Sequence, residues 1–204
     1  MTPHRHAPES AGDFRTGSEQ DEKVVDATRR WVDAAVIGLN LCPFARAVVV
    51  ADRVRYRVSS ARDAQALGVD LAEELQLLAA TEPEEIETTL LVHPWVLKDF
   101  LEFNDFLEVA DAAVAELGLQ GEIQVASFHP GYQFAGTQAD DVENCTNRSP
   151  FPILHLLREA SIERALASFP DPASIYERNI ETMQRLGWEG WERLRAKFAT
   201  DFLG

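Results

Sequence analysis

Cysteine, long apolar runs and positive charge are what this sequence has least of. Its two cysteines, Cys42 and Cys145, lie far apart with no CxxC or zinc-finger spacing, so a disulfide framework or a zinc ribbon is not expected. No apolar run approaches the ~20 residues that cross a bilayer, which excludes an integral helical membrane protein. Lys and Arg number 19 against 34 Asp and Glu, for a formal charge of −15. Such a surface repels phosphate backbones and argues against general nucleic-acid binding. GxGxxG, HExxH and GxSxG are also missing, which removes the usual Rossmann, zincin and α/β-hydrolase signatures.

What remains is an ordinary globular composition. The chain has 204 residues, 46% of them hydrophobic, enough for one domain with a real core. Residues 1–18 are polar and lack the apolar stretch of a secretory signal, so they read as a disordered leader and the cytoplasm as the compartment. His4 and His6 in that leader lack the preorganisation a metal site needs. Residues 19–204 are expected to form a single globular domain.

Apolar positions at helical spacing predict a helix over 21–39, ended at Asn40-Leu41-Cys42-Pro43. Val48–Val50 and Arg53–Val58 read as β structure, the second alternating Val54, Tyr56, Val58 against Arg53, Arg55, Arg57. A helix capped by Ser59 or Ser60 runs to about Ala80. Ile86–Val92 is a strand stopping at His93-Pro94, Val96–Leu117 a helix ended by Gly118, and Glu122–Phe128 a strand stopping at His129-Pro130. After a loop of about twenty residues the chain reads as helical from Ser149 onward, broken at Phe169-Pro170-Asp171-Pro172 and at Gly187. The expected class is α/β, with α+β as the alternative. Its core is a small, mainly parallel βαβαβ sheet with an N-terminal helix and C-terminal helices over 152–204.

Two strands that end in His-Pro carry the functional argument. If both run parallel in one sheet, His93 and His129 sit on the edge where open α/β sheets hold ligands. The plain alternative is that each imidazole merely bonds a nearby carbonyl. Asp140 and Asp141 offer carboxylates, and two His with one carboxylate, Asp141, match non-haem iron and some zinc sites. Cys42 joins the pair as a nucleophile only if Val48–Val50 and Arg53–Val58 form a hairpin; otherwise it is a small buried residue.

Loops this long are usually functional or disordered, and Tyr132, Phe134, Val142 and Phe151 give this one apolar anchors. Arg148, before Ser149-Pro150, stands at an expected helix start, a natural anion site; Arg46, Tyr132 and Asn147 are its candidate partners in substrate binding. The equal alternative is that Arg148 ties the loop to Asp140, Asp141 or Glu159 as a structural ion pair. His155 and Glu159 would share one helix face, most simply as core. Gly131–Thr137 mimics GxxxxG but lacks the lysine of a P-loop.

Asn40-Leu41-Cys42-Pro43-Phe44-Ala45, Leu91-Val92-His93-Pro94 and the block from Ser127 to Glu159 resemble the bacterial family grouped as domain of unknown function 1415. The likeness covers nearly everything after Glu22. It implies a bacterial single-domain protein and carries over no catalytic residue. An aromatic residue is usual in that family where Cys145 stands, which argues against an essential role for this thiol.

Two functions follow. The first is an enzyme of small-molecule metabolism, with His93, His129 and a loop carboxylate as a metal (iron or zinc) or acid–base site and Arg148 clamping an anionic group. The second is a module that binds a small anion or a partner protein without chemistry.

Overall fold

The computed structural model describes residues 19–167, 171 and 173–199; the expected leader and most of the Phe169–Pro172 break lie outside them. Helix α1 (Glu19–Trp31) opens on Glu19, Asp21 and Glu22 and closes on Arg29 and Arg30, charges that complement its dipole. It buries Val24, Ala27, Thr28 and Trp31, a single stripe, and passes into a π-helical turn, Val32–Ile37.

Val48–Val50, expected as β structure, is instead the second half of a short helix, α2 (Ala45–Val50). Ala45 N–H donates to the carbonyl of Cys42, and Asp52, at φ 55°, reverses the chain so that Arg53 N–H reaches the carbonyl of Val48. That closure overrides the β preference of three valines, and no hairpin forms. Strand β1 (Val54–Val58) follows, then α3 (Ala64–Ala80), β2 (Thr88–Val92), α4 (Phe100–Glu116) and β3 (Ile123–Phe128). The cap of α3 is Asp63, which accepts from Ala66 N–H; Ser59 is used elsewhere, in a hydrogen bond to Asp70 and another from Ala61 N–H.

Past the long loop the expected helix is a strand, β4 (Ile153–Arg158), followed by α5 (Glu159–Ala167) and α6 (Ala173–Arg195), the last interrupted at Gly187, φ 63°. Pro150 and Pro152 favour extended backbone before Ile153. The run Ile-Leu-His-Leu-Leu is apolar throughout because β4 lies mid-sheet with both faces covered, a pattern that periodicity alone does not separate from a buried helix.

The sheet order is β1-β2-β4-β3. β1 and β2 are parallel, while β4 runs antiparallel to both β2 and β3. The sheet is therefore mixed, not mainly parallel, and the fold is α/β with helices on both faces. Leu90, Val92 and Ile153 face α1 and α6; Leu91, Leu154 and Leu156 face α3 and α4. Among the described residues no helix is long and apolar enough to cross a membrane.

The arginine face of β1 is only partly solvated, because its arginines pair with carboxylates. Arg55 Nε and Nη2 reach the two carboxylate oxygens of Glu74 on α3 at 2.7 and 2.9 Å, and Arg57 Nε lies 3.5 Å from it. Glu74 is only 4% exposed, so removing its main partner strands a buried charge. Arg55→Ala is expected to cost ~1–3 kcal/mol in urea unfolding, below the ~3–5 of a fully buried pair because Arg57 remains and Arg55 is partly exposed. A loss under ~0.5 kcal/mol would show that solvent already screens the pair.

Candidate functional site

The strand ends place His93 and His129 on one edge even though β2 and β3 are not neighbours. β4 lies between them, antiparallel to each, so both strands still finish on the same side. The backbone N–H groups of His93 and His129 donate to the carbonyls of Pro152 and Asn147, on the segment that enters β4. Both rings stack on Phe103 of α4, with centroids 5.6 Å (His93) and 5.1 Å (His129) away.

Their nitrogens do not converge on a common point. His129 Nδ1 accepts from Gly131 N–H at 2.9 Å, so Nε2 carries the proton and donates to the carbonyl of Leu97 at 3.2 Å. His93 Nδ1 donates to the carbonyl of Val96 at 3.1 Å, which leaves Nε2 a buried lone pair without a partner among the described residues. The two histidines thus hold consecutive carbonyls of the β2–α4 connection. Leu97 there has φ 55°, a left-handed conformation that a bulky residue keeps only when its surroundings impose it.

The metal reading does not fit these donors. His129 has both nitrogens engaged, and Asp141 accepts from Gln138 N–H within its own turn. Among the described residues no three His, Cys, Asp or Glu side chains group as a metal requires. Cys42 lies in the turn after the π-helical segment, its N–H on the carbonyl of Val36, and makes none of the contacts of His93 or His129. Burial pushes the Cys145 thiol up to about 11, against the opposing pull of Arg148, so it stays protonated.

His155 sits mid-strand, with Glu159 opening α5, so the two share no helix face. The Thr88 hydroxyl donates to the carbonyl of Leu156 at 2.6 Å and therefore accepts from His155 Nε2 at 2.8 Å. Burial holds both His93 and His155 down to about 4, and lowers His129 as well. Below ~6.5 the unfolded chain takes up protons that the folded chain refuses, so stability falls as pH drops from there toward 4. Each such histidine adds a slope of ~1.4 kcal/mol per pH unit. Urea unfolding at pH 6.5 and 5.0 is expected to show this loss, and His155→Gln to remove one histidine's share of it; a flat profile contradicts the neutral assignment.

The long loop packs back on the sheet edge, as expected, with Tyr132 and Phe134 half-buried. Tyr132 rests on Phe100 at 5.2 Å and on Phe134 at 5.0 Å. The loop ends in a 3-10 helix, Val142–Asn147. Asn144, absent from the candidate site residues, is wholly buried and organises the loop. Its Oδ1 accepts from Phe134 N–H at 2.9 Å and its Nδ2 donates to the carbonyl of Gln138 at 2.7 Å. Asn147 ties the same helix to β3 through Ser127, at 3.4 Å.

Arg148 precedes a strand and not a helix, so no helix dipole assists it. Its Nε and Nη2 donate to the carbonyls of Tyr132 and Ala139, at 3.2 and 2.9 Å. Its guanidinium lies 5.4 Å from the ring of Trp188, whose Nε1 donates to the carbonyl of Asp140 at 2.7 Å. No described carboxylate lies within 4.0 Å of it, so Asp140, Asp141 and Glu159 are not its partners. Arg148 instead lines a cavity of about 230 Å³ between the β4 entry and the end of α6, with Ser149, Phe151, Trp191, Glu192 and Arg195. Arg195 pairs with Glu192 at 2.8 Å. Arg46 is exposed on α2, and neither it, Tyr132 nor Asn147 lines this cavity.

The family model described as "Protein of unknown function (DUF1415)" matches residues 23–193. The chain belongs to that family. The match spans β1 to β4 and most of α6, and so takes in both histidines, the long loop and most of the cavity wall. No curated protein and no solved structure matches the chain.

Proposed function

We propose that this protein binds a small carboxylate- or phosphate-bearing molecule in the cavity beside Arg148. One observation carries the reading. In a chain of formal charge −15, a half-buried guanidinium lines a concave site with no carboxylate partner among the described residues. Arg148 spends two of its donors on loop carbonyls, which fix its plane, while its charge stays unneutralised. A planar, oriented guanidinium suits a carboxylate or phosphate better than a flexible ammonium does. Arg195 also lines the cavity but is paired with Glu192, so Arg148 carries the uncompensated charge, and Phe151 and Trp191 supply apolar surface. The one carboxylate of the lining, Glu192, is engaged by Arg195, so the arrangement favours binding over proton transfer.

Thermal unfolding of the full chain in phosphate, and separately in a simple carboxylate, tests this. A ligand at a hundred times its Kd stabilises by ~2.7 kcal/mol, and that gain is expected to shrink in Arg195→Gln. If neither anion raises the Tm of the wild-type protein, the reading fails.

A further inference from the structure

A second concavity lies on the other face of the same sheet edge, beyond the C-terminal ends of β1 and β2. It is an open cleft of about 620 Å³ with Trp95, Val96 and Leu97 along one side. Its position, outside the carboxyl ends of adjacent parallel strands, is the one that open α/β sheets use for ligands. The two buried histidines hold this side in place, through the carbonyls of Val96 and Leu97. Leu97 keeps its left-handed φ of 55° within this pinned segment.

The charges around the cleft are of both signs. Arg62 stacks over the Trp95 ring at 4.3 Å, and Lys98 follows on the same connection; Glu102 and Asp105 project from the first turns of α4. None of these four side chains forms an ion pair with another described residue. Separated cations and carboxylates flanking an indole complement a molecule that carries both charges and an apolar body.

We propose that this cleft binds an apolar α-amino acid as its zwitterion. The carboxylate lies toward Arg62 and Lys98, the ammonium toward Glu102 and Asp105, and the side chain against Trp95 and Leu97. The site is separate from the anion cavity and does not depend on it. A single-charge ligand satisfies half of the cleft and leaves the other half facing like charge, so both charges are required for affinity.

Calorimetric titration of the full chain with L-phenylalanine, 3-phenylpropionate and phenethylamine tests this with one side chain and three charge patterns. L-phenylalanine is expected to bind at least tenfold more tightly than either half-ligand. Arg62→Gln weakens phenylalanine and phenylpropionate but not phenethylamine, and the double variant Glu102→Gln/Asp105→Asn weakens phenylalanine and phenethylamine but not phenylpropionate. Both variants are at exposed positions, and their unfolding midpoints should match the wild type. No phenylalanine binding, or phenylpropionate binding as tightly as phenylalanine, overturns the proposal. So does a loss common to all three ligands in either variant. Phenylpropionate binding that ignores Arg62→Gln places that anion elsewhere and likewise removes the carboxylate arm of the site.

Discussion

Arg148→Ala is expected to abolish the stabilisation by phosphate or a carboxylate and to lower the protein's own stability by ~1–3 kcal/mol. The two effects arise from different atoms. The anion response depends on the uncompensated charge facing the cavity. The stability loss comes from the carbonyls of Tyr132 and Ala139, which lose charged donors. That loss stays below the cost of breaking a buried ion pair, since no carboxylate is left alone and Ala139 is open to water. Arg148→Lys keeps the charge but cannot hold the fork, so it should retain part of the anion response. Urea unfolding with and without anion measures both terms. An anion response that survives intact in Arg148→Ala ends the functional proposal; an unchanged stability shows that water replaces the guanidinium at no cost.

Phe103→Ala is expected to be among the most damaging single changes, at ~3–5 kcal/mol. Phe103 is fully buried and is the ring on which both histidines stack. Truncation removes its transfer energy and opens a cavity beside His93, whose Nε2 has no partner among the described residues. Water entering there would solvate that nitrogen, so the His93 pKa should climb from about 4 toward its ordinary value. Phe103→Leu, which fills most of the volume, should cost clearly less. Unfolding curves give the first quantity and an imidazole NMR titration the second. A loss under ~1 kcal/mol would mean the site collapses around the gap.

Local chemistry made several features legible. The stripe of α1 follows from Val24, Ala27 and Trp31 at helical spacing; Gly118, at φ 72°, ends the connection after α4 because few other residues take that conformation freely. The two His-Pro pairs stop their strands where expected, and the common edge for His93 and His129 follows from strand direction alone. The long loop was readable as ordered because its aromatics needed somewhere to pack.

Tertiary structure decided the rest. Whether Ile153–Arg158 is strand or helix is settled by burial on both faces, between β2 and β3, and not by its sequence period. That one element turns a parallel sheet into a mixed one and removes the helix start on which the anion argument for Arg148 first stood. Val48–Val50 is helical because the left-handed turn at Asp52 closes back on it within five residues, a local signal that the β preference of the valines masked. The roles of the histidines were also unreadable in one dimension. A His-Pro pair looks the same whether its imidazole faces a metal, a substrate or the carbonyls of Val96 and Leu97. Strand ends and helix stripes are local consequences of residue type, so the sequence determined them. Which nitrogen meets which carbonyl, and which arginine is left without a carboxylate, depends on groups that only folding brings together.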